Sequence, residues 1–379
     1  MSTPRILCIA GARPNFMKVA ALLDALRARD GVTVRLVHTG QHYDEKLSKL
    51  FFEELAIPRP DCNLEVGGGT HAEQTAEIMK RFEPVLLAEN PDIVVVVGDV
   101  NSTIACALVA SKRLVPVAHV EAGLRSFDRT MPEEINRLLT DAIADLLFVS
   151  EPAGVRNLRA EGVDPSRVHF AGNVMIDTLK RHLERAERSA ILEQQGLTAG
   201  KYALLTLHRP SNVDDPVVFE RILGALEEVG RRVPIVFPVH PRTLARIKGF
   251  GLAERVERAP GLRVIEPQGY LDFLKLQAHA AVVLTDSGGV QEETTALGTP
   301  CVTIRENTER PITIEAGTNV LAGTDPARIS AEAVAALDRA RPAVPPTPPL
   351  WDGHAAERIA DVLIQFCAAR AAKKIAEAA

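Results

Sequence analysis

Apolar runs of strand length alternate with amphipathic stretches along almost the whole chain. In the first half these runs cover residues 5–10, 32–39, 93–97, 115–120 and 146–149. Most of these runs are apolar at nearly every position instead of at every second one, which is typical of strands buried on both faces. Between them, apolar residues such as Val19, Leu22 and Leu26 recur at helical spacing. The pattern predicts a series of βαβ units and a parallel, doubly wound sheet.

The same alternation starts again after a charged, helix-like segment. The second set of apolar runs covers residues 202–207, 234–239, 262–265, 280–285, 300–304 and 319–321. We therefore predict an α/β protein with two Rossmann-like domains, and ligands in a central cleft that faces the carboxyl ends of both sheets. The first domain is expected to span residues 1–173 and the second residues 174–354, with a C-terminal helix over 355–379 that packs back on the first.

Composition narrows the class of protein. A length of 379 residues suits two domains of ordinary size, and a net charge of −5 without a Lys/Arg tract argues against nucleic acid as the main ligand. The five cysteines include no CxxC pair, which indicates buried thiols in a reducing compartment. The chain opens directly on a strand and has no apolar run of membrane-spanning length. We expect a soluble cytoplasmic protein with no membrane partner.

Charged residues follow the strands of the first half. Arg13 and Lys18 place two cations near a helix N-terminus, where the helix dipole disfavours them, so either an anionic ligand or a solvated loop accounts for them. Asp99 and Glu121 each follow a strand, and Glu133 stands in the first turn of a helix. Singly, Asp99 is interpretable as a helix cap and Glu133 as a favourable dipole contact. Three carboxylates in one cleft would instead have divergent pKa values, which gives a site one acid and one base.

The stretch 285–293 predicts an anion site. An apolar strand leads through Ser287, Gly288 and Gly289 into a helix over 290–297. Unpaired amides and the helix dipole favour a phosphate there, and glycines allow its close approach. Glu293, one turn further, is placed to accept ribose hydroxyls. An ordinary capped turn is the alternative interpretation.

Other polar groups of the second half fit the same ligand. His208 and His240 each follow a strand, and Arg310 lies in a charged loop after another, so all three are candidates for contacts to a diphosphate. Phe273 is a candidate to flank a base. Neither histidine has a partner four residues away, so we predict no metal site. The absence of GxxxxGK[ST] and GxGxxG argues against ATP hydrolysis and a standard NAD site.

Eight motifs in a fixed order resemble the non-hydrolysing UDP-N-acetylglucosamine 2-epimerases, which have a glycosyltransferase-B-like fold. They are GARPNFMK at 11–18, TGQH at 39–42, GDVNST at 98–103, VEAGLRS at 120–126, PEEINR at 132–137, HRPSN at 208–212, DSGGVQEE at 286–293 and TERP at 308–311. Each motif alone is weak, but the ordered set spans nearly the whole chain and is specific.

The resemblance implies a cofactor-free reaction on a UDP-sugar. The family removes the C2 proton and expels UDP to give a 2-acetamidoglucal, then adds UDP back as a proton returns to the opposite face. By motif match the catalytic positions are Asp99, Glu121, Glu133 and His208. The diphosphate would be held by Arg13, Lys18, His208, Ser287, Gly288, Gly289 and Arg310, and the ribose by Glu293. The resemblance also implies a homodimer and makes Gln41 and His42 candidates for an allosteric UDP-N-acetylglucosamine site, although the residues after them depart from the family form.

Several alternatives stay open at this stage. A hydrolysing relative would release UDP and free N-acetylmannosamine. Ala12 and Asn15 replace a Thr and a Glu that are common in the first motif, and 210–212 is less charged than usual, so a modified UDP-2-acetamido sugar is another candidate substrate. A glycosyltransferase and a catalytically silent sugar-nucleotide binding protein are less well supported, because neither needs acids at both faces of C2.

Overall fold

The structure, a computed structural model, describes residues 3–11, 13–40, 53–339 and 341–378. The chain divides into two compact units. The first contains Met1–Arg181 and Pro349–Ala379, and the second contains His182–Pro348. Each unit is an α/β domain built around one parallel sheet.

The first unit contains a seven-stranded sheet in the order β3-β2-β1-β4-β5-β6-β7. Its strands are β1 (Arg5–Ala10), β2 (Thr33–His38), β3 (Cys62–Asn63), β4 (Ile93–Val97), β5 (Val117–Val120), β6 (Leu146–Val149) and β7 (Val168–Phe170). All pairings are parallel. Every residue of β4 is buried, because helices cover both faces of the sheet.

The second unit contains a six-stranded sheet in the order β10-β9-β8-β11-β12-β13. Its strands are β8 (Ala203–Thr206), β9 (Ile235–Pro238), β10 (Leu262–Ile265), β11 (Val282–Thr285), β12 (Cys301–Thr303) and β13 (Asn319–Leu321). Alternate residues of β8 enter two different cores, Leu205 on one face and Leu204 on the other. The continuous apolarity of the β8 run therefore reflects burial on both faces.

The helices of the described residues connect these strands. They are α1 (Arg13–Arg27), α2 (His71–Glu89), α3 (Asn101–Lys112), α4 (Pro132–Ile143), α5 (Pro152–Ala160), α6 (Val174–Glu187), α7 (Ile191–Gln194), α8 (Pro210–Val213), α9 (Pro216–Gly230), α10 (Pro241–Gly249), α11 (Ala253–Arg258), α12 (Tyr270–His279), α13 (Gly288–Leu297), α14 (Ile312–Glu315), α15 (Pro326–Asp338) and α16 (Ala355–Ala378). In the part of the chain that the structure describes, no helix has both the length and the apolarity to cross a bilayer.

The strand order reverses once in each sheet, between β1 and β4 in the first unit and between β8 and β11 in the second. At such a switch point the connections leave in opposite directions and open a crevice at the carboxyl ends of the strands. The candidate residues Lys18 and Asp99 follow β1 and β4, and His208 and Ser287 follow β8 and β11. The topology therefore places candidates at both switch points.

The predicted fold class of two Rossmann-like domains with parallel sheets is confirmed. The predicted strands all occur, but the pattern missed β3 and β7, which are short edge strands without a continuous apolar run. The predicted domain boundary after residue 173 lies at the start of α6, whereas the two units divide within that helix. The first turns of α6 contact the first unit, since the Thr178 hydroxyl donates to the Met17 carbonyl at 2.5 Å.

Candidate active site

A buried ion pair lies at the switch point of the first sheet. Lys18 of α1 donates to Glu121, which directly follows β5, and both side chains are almost fully buried. Gly98, the residue after β4, lies against this pair, because a Cβ added there would stand 3.3 Å from Glu121 Oε2, Lys18 Nζ and Asn15 Nδ2. The absence of a side chain at Gly98 thus leaves room for the ion pair. The sequence assigned Lys18 to a diphosphate and Glu121 to the chemistry at C2, whereas in the structure the two side chains form one ion pair.

Glu121 has an unusual backbone conformation. Its φ is +76°, in the left-handed region that costs an L-residue about 1–2 kcal/mol. The amides of Glu121 and Ala122 both donate to the carbonyl of Phe148 at 3.0 Å, which fixes the turn after β5. A strained, buried carboxylate next to a cation is more typical of a functional site than of a structural turn.

Asp99 is held by Arg137, which ends the motif at 132–137 but was not among the predicted site residues. Arg137 of α4 bonds Asp99 Oδ2 at 2.5 Å and Glu134 Oε2 at 2.6 Å, and only the Asp99 side chain of the three is partly exposed. Arg137 therefore fixes the position of the Asp99 carboxylate. The preceding residue, Asn136, also holds this turn, because its side-chain amide donates to the Asp99 backbone carbonyl at 2.9 Å.

The two glutamates at the start of α4 differ in their surroundings. Glu134 is buried and accepts the backbone amides of Ser126 and Phe127 at 3.0 Å. Burial alone would raise the pKa of Glu134, but the Ser126 amide and the Arg137 guanidinium hold it below its ordinary value. Glu133 is half-buried in the first turn of α4. Of the two, Glu134 stabilises the loop, and Glu133 stays the candidate for chemistry.

Three candidates of the first unit are described in part or not at all. Arg13 is the first residue of α1, but its side chain lies outside the described part of the structure. Gln41 and His42, the candidates for an allosteric site, lie outside the described residues. Their predicted roles stay predictions.

In the second unit, His208 and Asp286 connect the two strands of the switch point. Asp286 is fully buried after β11, and its Oδ1 lies 2.9 Å from His208 Nδ1, whose ring is about half exposed. Asp286 also accepts the amides of His208 and Arg209. Burial would raise the pKa of Asp286, but His208 and these amides hold it below its ordinary value. The ionised Asp286 therefore orients the His208 ring and the loop that carries it.

Helix α13 begins at Gly288 with Ser287 as its N-cap, two residues before the start of the predicted helix over 290–297. A Cβ at Gly288 would lie 2.5 Å from Arg310 Nη1 and 2.8 Å from Glu309 Oε1. From the sequence, we expected the two glycines to allow the close approach of a phosphate. In the structure, the space beside Gly288 is occupied by the Arg310 guanidinium, so Gly288 brings a cation to the helix N-terminus.

Arg310 belongs to a cluster of buried charges. Glu309 accepts Arg310 Nη1 at 2.5 Å and Arg305 Nη2 at 2.8 Å, and Arg209 Nη2 lies 3.6 Å away. Glu292 Oε1 of α13 lies 2.9 Å from Arg310 Nε and adds a second ion-pair contact. These contacts fix the guanidinium of Arg310 beside the first turn of α13, and a cation next to a helix N-terminus suits a diphosphate.

Glu293 is buried on α13 and is paired with an amide. Gln277 of α12 donates to Glu293 Oε2 at 2.7 Å. Burial raises the pKa of Glu293 to about 7, although the bond from Gln277 acts in the opposite direction. An ionised carboxylate accepts hydrogen bonds from vicinal hydroxyls, and a protonated carboxyl group can also donate one to them.

The other two candidates of the second unit have structural contacts as well. His240 is the N-cap of α10, and its Nδ1 accepts the amide of Arg242 at 3.2 Å. Phe273 is partly buried against the core that includes Tyr202 and Val290. Among the described residues no group of three or more His, Cys, Asp or Glu side chains could hold a metal ion.

Comparison with known proteins identifies the family. The family model for UDP-N-acetylglucosamine 2-epimerase matches residues 24–364. The UDP-N-acetylglucosamine 2-epimerase of Methanocaldococcus jannaschii is 42% identical over 95% of this chain and 98% of its own length. The UDP-2,3-diacetamido-2,3-dideoxy-D-glucuronate 2-epimerase of Pseudomonas aeruginosa is 44% identical over 84% of this chain and 88% of its own.

A solved structure agrees with the sequence comparisons. The crystal structure of the Methanocaldococcus jannaschii enzyme in complex with UDP-GlcNAc and UDP has a TM-score of 0.90 and covers 95% of this chain and 99% of that one. These matches confirm the resemblance that the eight motifs indicated. The chain therefore belongs to the UDP-N-acetylglucosamine 2-epimerase family of isomerases.

Proposed function

We propose that this protein interconverts UDP-N-acetylglucosamine and UDP-N-acetylmannosamine without hydrolysis. The C2 proton is removed and the bond from C1 to the UDP oxygen breaks, which gives a 2-acetamidoglucal and UDP. UDP then adds back to C1 while a proton returns to the opposite face of C2. The reaction needs two acid/base groups for C2 and a cationic site that retains UDP.

The carboxylates of the first unit supply the acid/base groups in this proposal. The observation that carries it is the buried pair of Lys18 and strained Glu121 directly beside Gly98, the residue before Asp99. Lys18 keeps a negative charge available in a buried position, and Arg137 orients Asp99. Glu133, at the start of α4, is the third carboxylate of the set.

The second unit supplies the UDP site in this proposal. Ser287, the N-cap of α13, and Gly288 and Gly289 in its first turn bind the diphosphate in this proposal, and Arg310 adds a fixed positive charge beside them. His208, oriented by Asp286, contacts the leaving diphosphate and serves as a proton donor or acceptor. Glu293 binds the ribose hydroxyls. His240, Phe273 and Arg13 are proposed as further substrate contacts.

The products of the purified protein test this proposal. Incubation with UDP-N-acetylglucosamine is expected to give UDP-N-acetylmannosamine at a constant ratio, separated by ion-exchange chromatography. Asp99→Asn and Glu121→Gln are expected to abolish turnover while UDP still binds. Accumulation of UDP and free N-acetylmannosamine would instead identify a hydrolysing enzyme.

A modified UDP-2-acetamido sugar is the second candidate substrate. Two observations favour it. The chain is about as similar to the Pseudomonas aeruginosa enzyme for a diacetamido glucuronate as to the Methanocaldococcus jannaschii enzyme. In addition, Asn15 lies beside the Lys18–Glu121 pair, at a position where a Glu is common. Assay of both UDP-sugars at equal concentration separates the candidates by their kcat/KM ratio.

We also propose that the protein is a homodimer and that it is located in the cytoplasm. Sedimentation equilibrium of the purified chain measures the first, and fractionation of cells that express it measures the second.

A further inference from the structure

A second buried charge network lies behind Glu121, on the side of α4. Asp141 bonds His119 Nδ1 at 2.6 Å, Arg125 Nη1 at 2.7 Å and the backbone amide of Gly123 at 3.0 Å. The side chains of Asp141, His119 and Arg125 are each at most 1% exposed. The Asp141 carboxylate therefore contacts three residues that flank Glu121 in the sequence, namely His119 before it and Gly123 and Arg125 after it.

The network also reaches the other side of the ion pair. His119 Nε2 lies 2.8 Å from the carbonyl of Gly98, and because a carbonyl only accepts, the ring donates from this nitrogen. Gly98 is the residue that lies against Glu121 Oε2 and Lys18 Nζ. Asp141 is thus connected through His119 to the turn after β4, which carries Asp99, and directly to the turn after β5, which carries Glu121.

The turn after β5 requires such support. Glu121 has a φ of +76° and Gly123 a φ of +78°, so two of three consecutive residues are left-handed. Gly123 is also pressed against α5, because a Cβ there would lie 2.5 Å from the Gly154 carbonyl oxygen. A strained conformation persists only where the surrounding contacts over-determine it.

We infer that Asp141 is a positioning residue that, with His119, holds Glu121 and the Gly98–Asp99 turn in the geometry that proton transfer at C2 requires. This inference rests on the proposed function. Asp141 contacts no substrate in this account, so it acts on the rate of the chemical step and leaves the binding of UDP to the second unit unchanged.

Asp141→Asn and His119→Gln test the inference, with Asp145→Asn as the matched control. Asp145 accepts the Val117 amide at 2.8 Å at the opposite end of β5, so its variant has the same chemical change without a link to Glu121. For Asp141→Asn we expect kcat to fall at least about 30-fold with KM within about threefold, since small misplacements of a reacting group cost about 100-fold. His119→Gln is expected to lose kcat in the same direction, and Asp145→Asn to stay within about twofold.

The double variant Asp141→Asn/His119→Gln adds a readout that a merely structural role would not move. If both residues act through one arrangement, its kcat is expected to equal that of the worse single variant and not the product of the two losses. UDP affinity by calorimetry and thermal unfolding are measured for each variant.

Two results would overturn the inference and are distinguishable from a failure of the proposed function. A folded His119→Gln variant with kcat within twofold of the wild type contradicts it, whatever Asp141→Asn does. Equal losses of kcat in Asp141→Asn and Asp145→Asn contradict it as well. A wild-type protein that leaves the C2 proton of UDP-N-acetylglucosamine unexchanged contradicts the proposed function, and the inference with it.

Discussion

At the scale of single residues, Lys18 is a buried charge whose partner is also buried. Lys18→Met keeps the length of the side chain but leaves Glu121 without its cation. We expect a loss of about 3–5 kcal/mol in the free energy of unfolding, because an uncompensated buried charge is costly, and a fall in kcat of about 100-fold or more. Urea denaturation and steady-state kinetics measure the two effects.

Lys80→Met is the matched control for this change. Lys80 is 70% exposed and pairs with Glu77 on the surface of α2, where such a pair contributes at most about 1 kcal/mol. Its variant is expected to keep full kcat. A Lys18→Met variant as stable and active as Lys80→Met would show that the ion pair has neither role.

Glu293 makes stability depend on pH in an unusual direction. Burial raises its pKa from 4.5 to about 7, so between these values the folded protein holds a proton that the unfolded chain has lost. The contribution of Glu293 to stability is therefore fully present below pH 4.5 and is lost as the pH rises through 7. The linkage relation gives a total of about 3 kcal/mol.

Glu293→Gln removes this titration and keeps a side chain that can bond Gln277. From pH 5 to pH 8 the wild type is expected to lose unfolding free energy relative to Glu293→Gln. Urea denaturation at both pH values measures this difference. Glu257→Gln, an exposed change of the same kind, should follow the wild type. A difference that is constant with pH would show that Glu293 is ionised throughout.

At the scale of elements, the N-terminus of α13 depends on the close approach of Arg310. Gly288→Ala places a methyl group within 3 Å of the Arg310 and Glu309 side chains, so the guanidinium must move. We expect affinity for UDP to fall about tenfold or more, because the helix amides and Arg310 no longer act on the same phosphate. Isothermal titration calorimetry with UDP measures this change.

Gly249→Ala controls for the loss of a helical glycine. A Cβ at Gly249, the last residue of α10, has no heavy atom within 4 Å. The variant is expected to bind UDP as the wild type does and to be unchanged or slightly more stable, by up to about 1 kcal/mol. Wild-type affinity in Gly288→Ala would refute the role assigned to the packing of Arg310.

The C-terminal helix α16 is attached to the first unit through Asp177 of α6. The Asp177 carboxylate accepts the amide of Ala356 at 2.7 Å, and so caps α16 from another helix. Asp177→Ala is expected to lower the free energy of unfolding by about 1–2 kcal/mol, the usual effect of removing a cap. Asp361 also lies on α16 and forms a surface pair with Arg29, a residue outside this helix, so Asp361→Ala should cost less than about 1 kcal/mol. Equal losses would argue against capping.

At the scale of the whole molecule, the fold was readable from the sequence because its strands are buried on both faces. A run such as 93–97 is apolar at every position, and it becomes β4 without a change of bounds. The short edge strands β3 and β7 lack this signal, since partial exposure permits polar residues. In such a fold, ligands bind at the carboxyl ends of the strands. The motifs after the strands therefore indicated Lys18, Glu121, His208 and the N-terminus of α13.

The residues that were not predicted as site residues act through contacts between distant segments. Arg137 connects Asp99 and Glu134, and Asp141 connects turns that follow two different strands. Their helix α4 is amphipathic like many others, and no spacing in the sequence shows which polar side chains of its buried face meet which strand end. Asp286 was part of a motif, but its bonds to His208 follow only from the pairing of β8 with β11.

The most direct test of the account is proton NMR of the purified protein with UDP-N-acetylglucosamine in heavy water. Reversible elimination exchanges the C2 proton with solvent, so deuterium is expected at C2 in both sugars. UDP-N-acetylmannosamine is expected to rise to a constant ratio without free N-acetylmannosamine. Epimerised product that keeps its C2 proton, or a substrate that stays unchanged, would contradict proton removal by the carboxylates of the first unit.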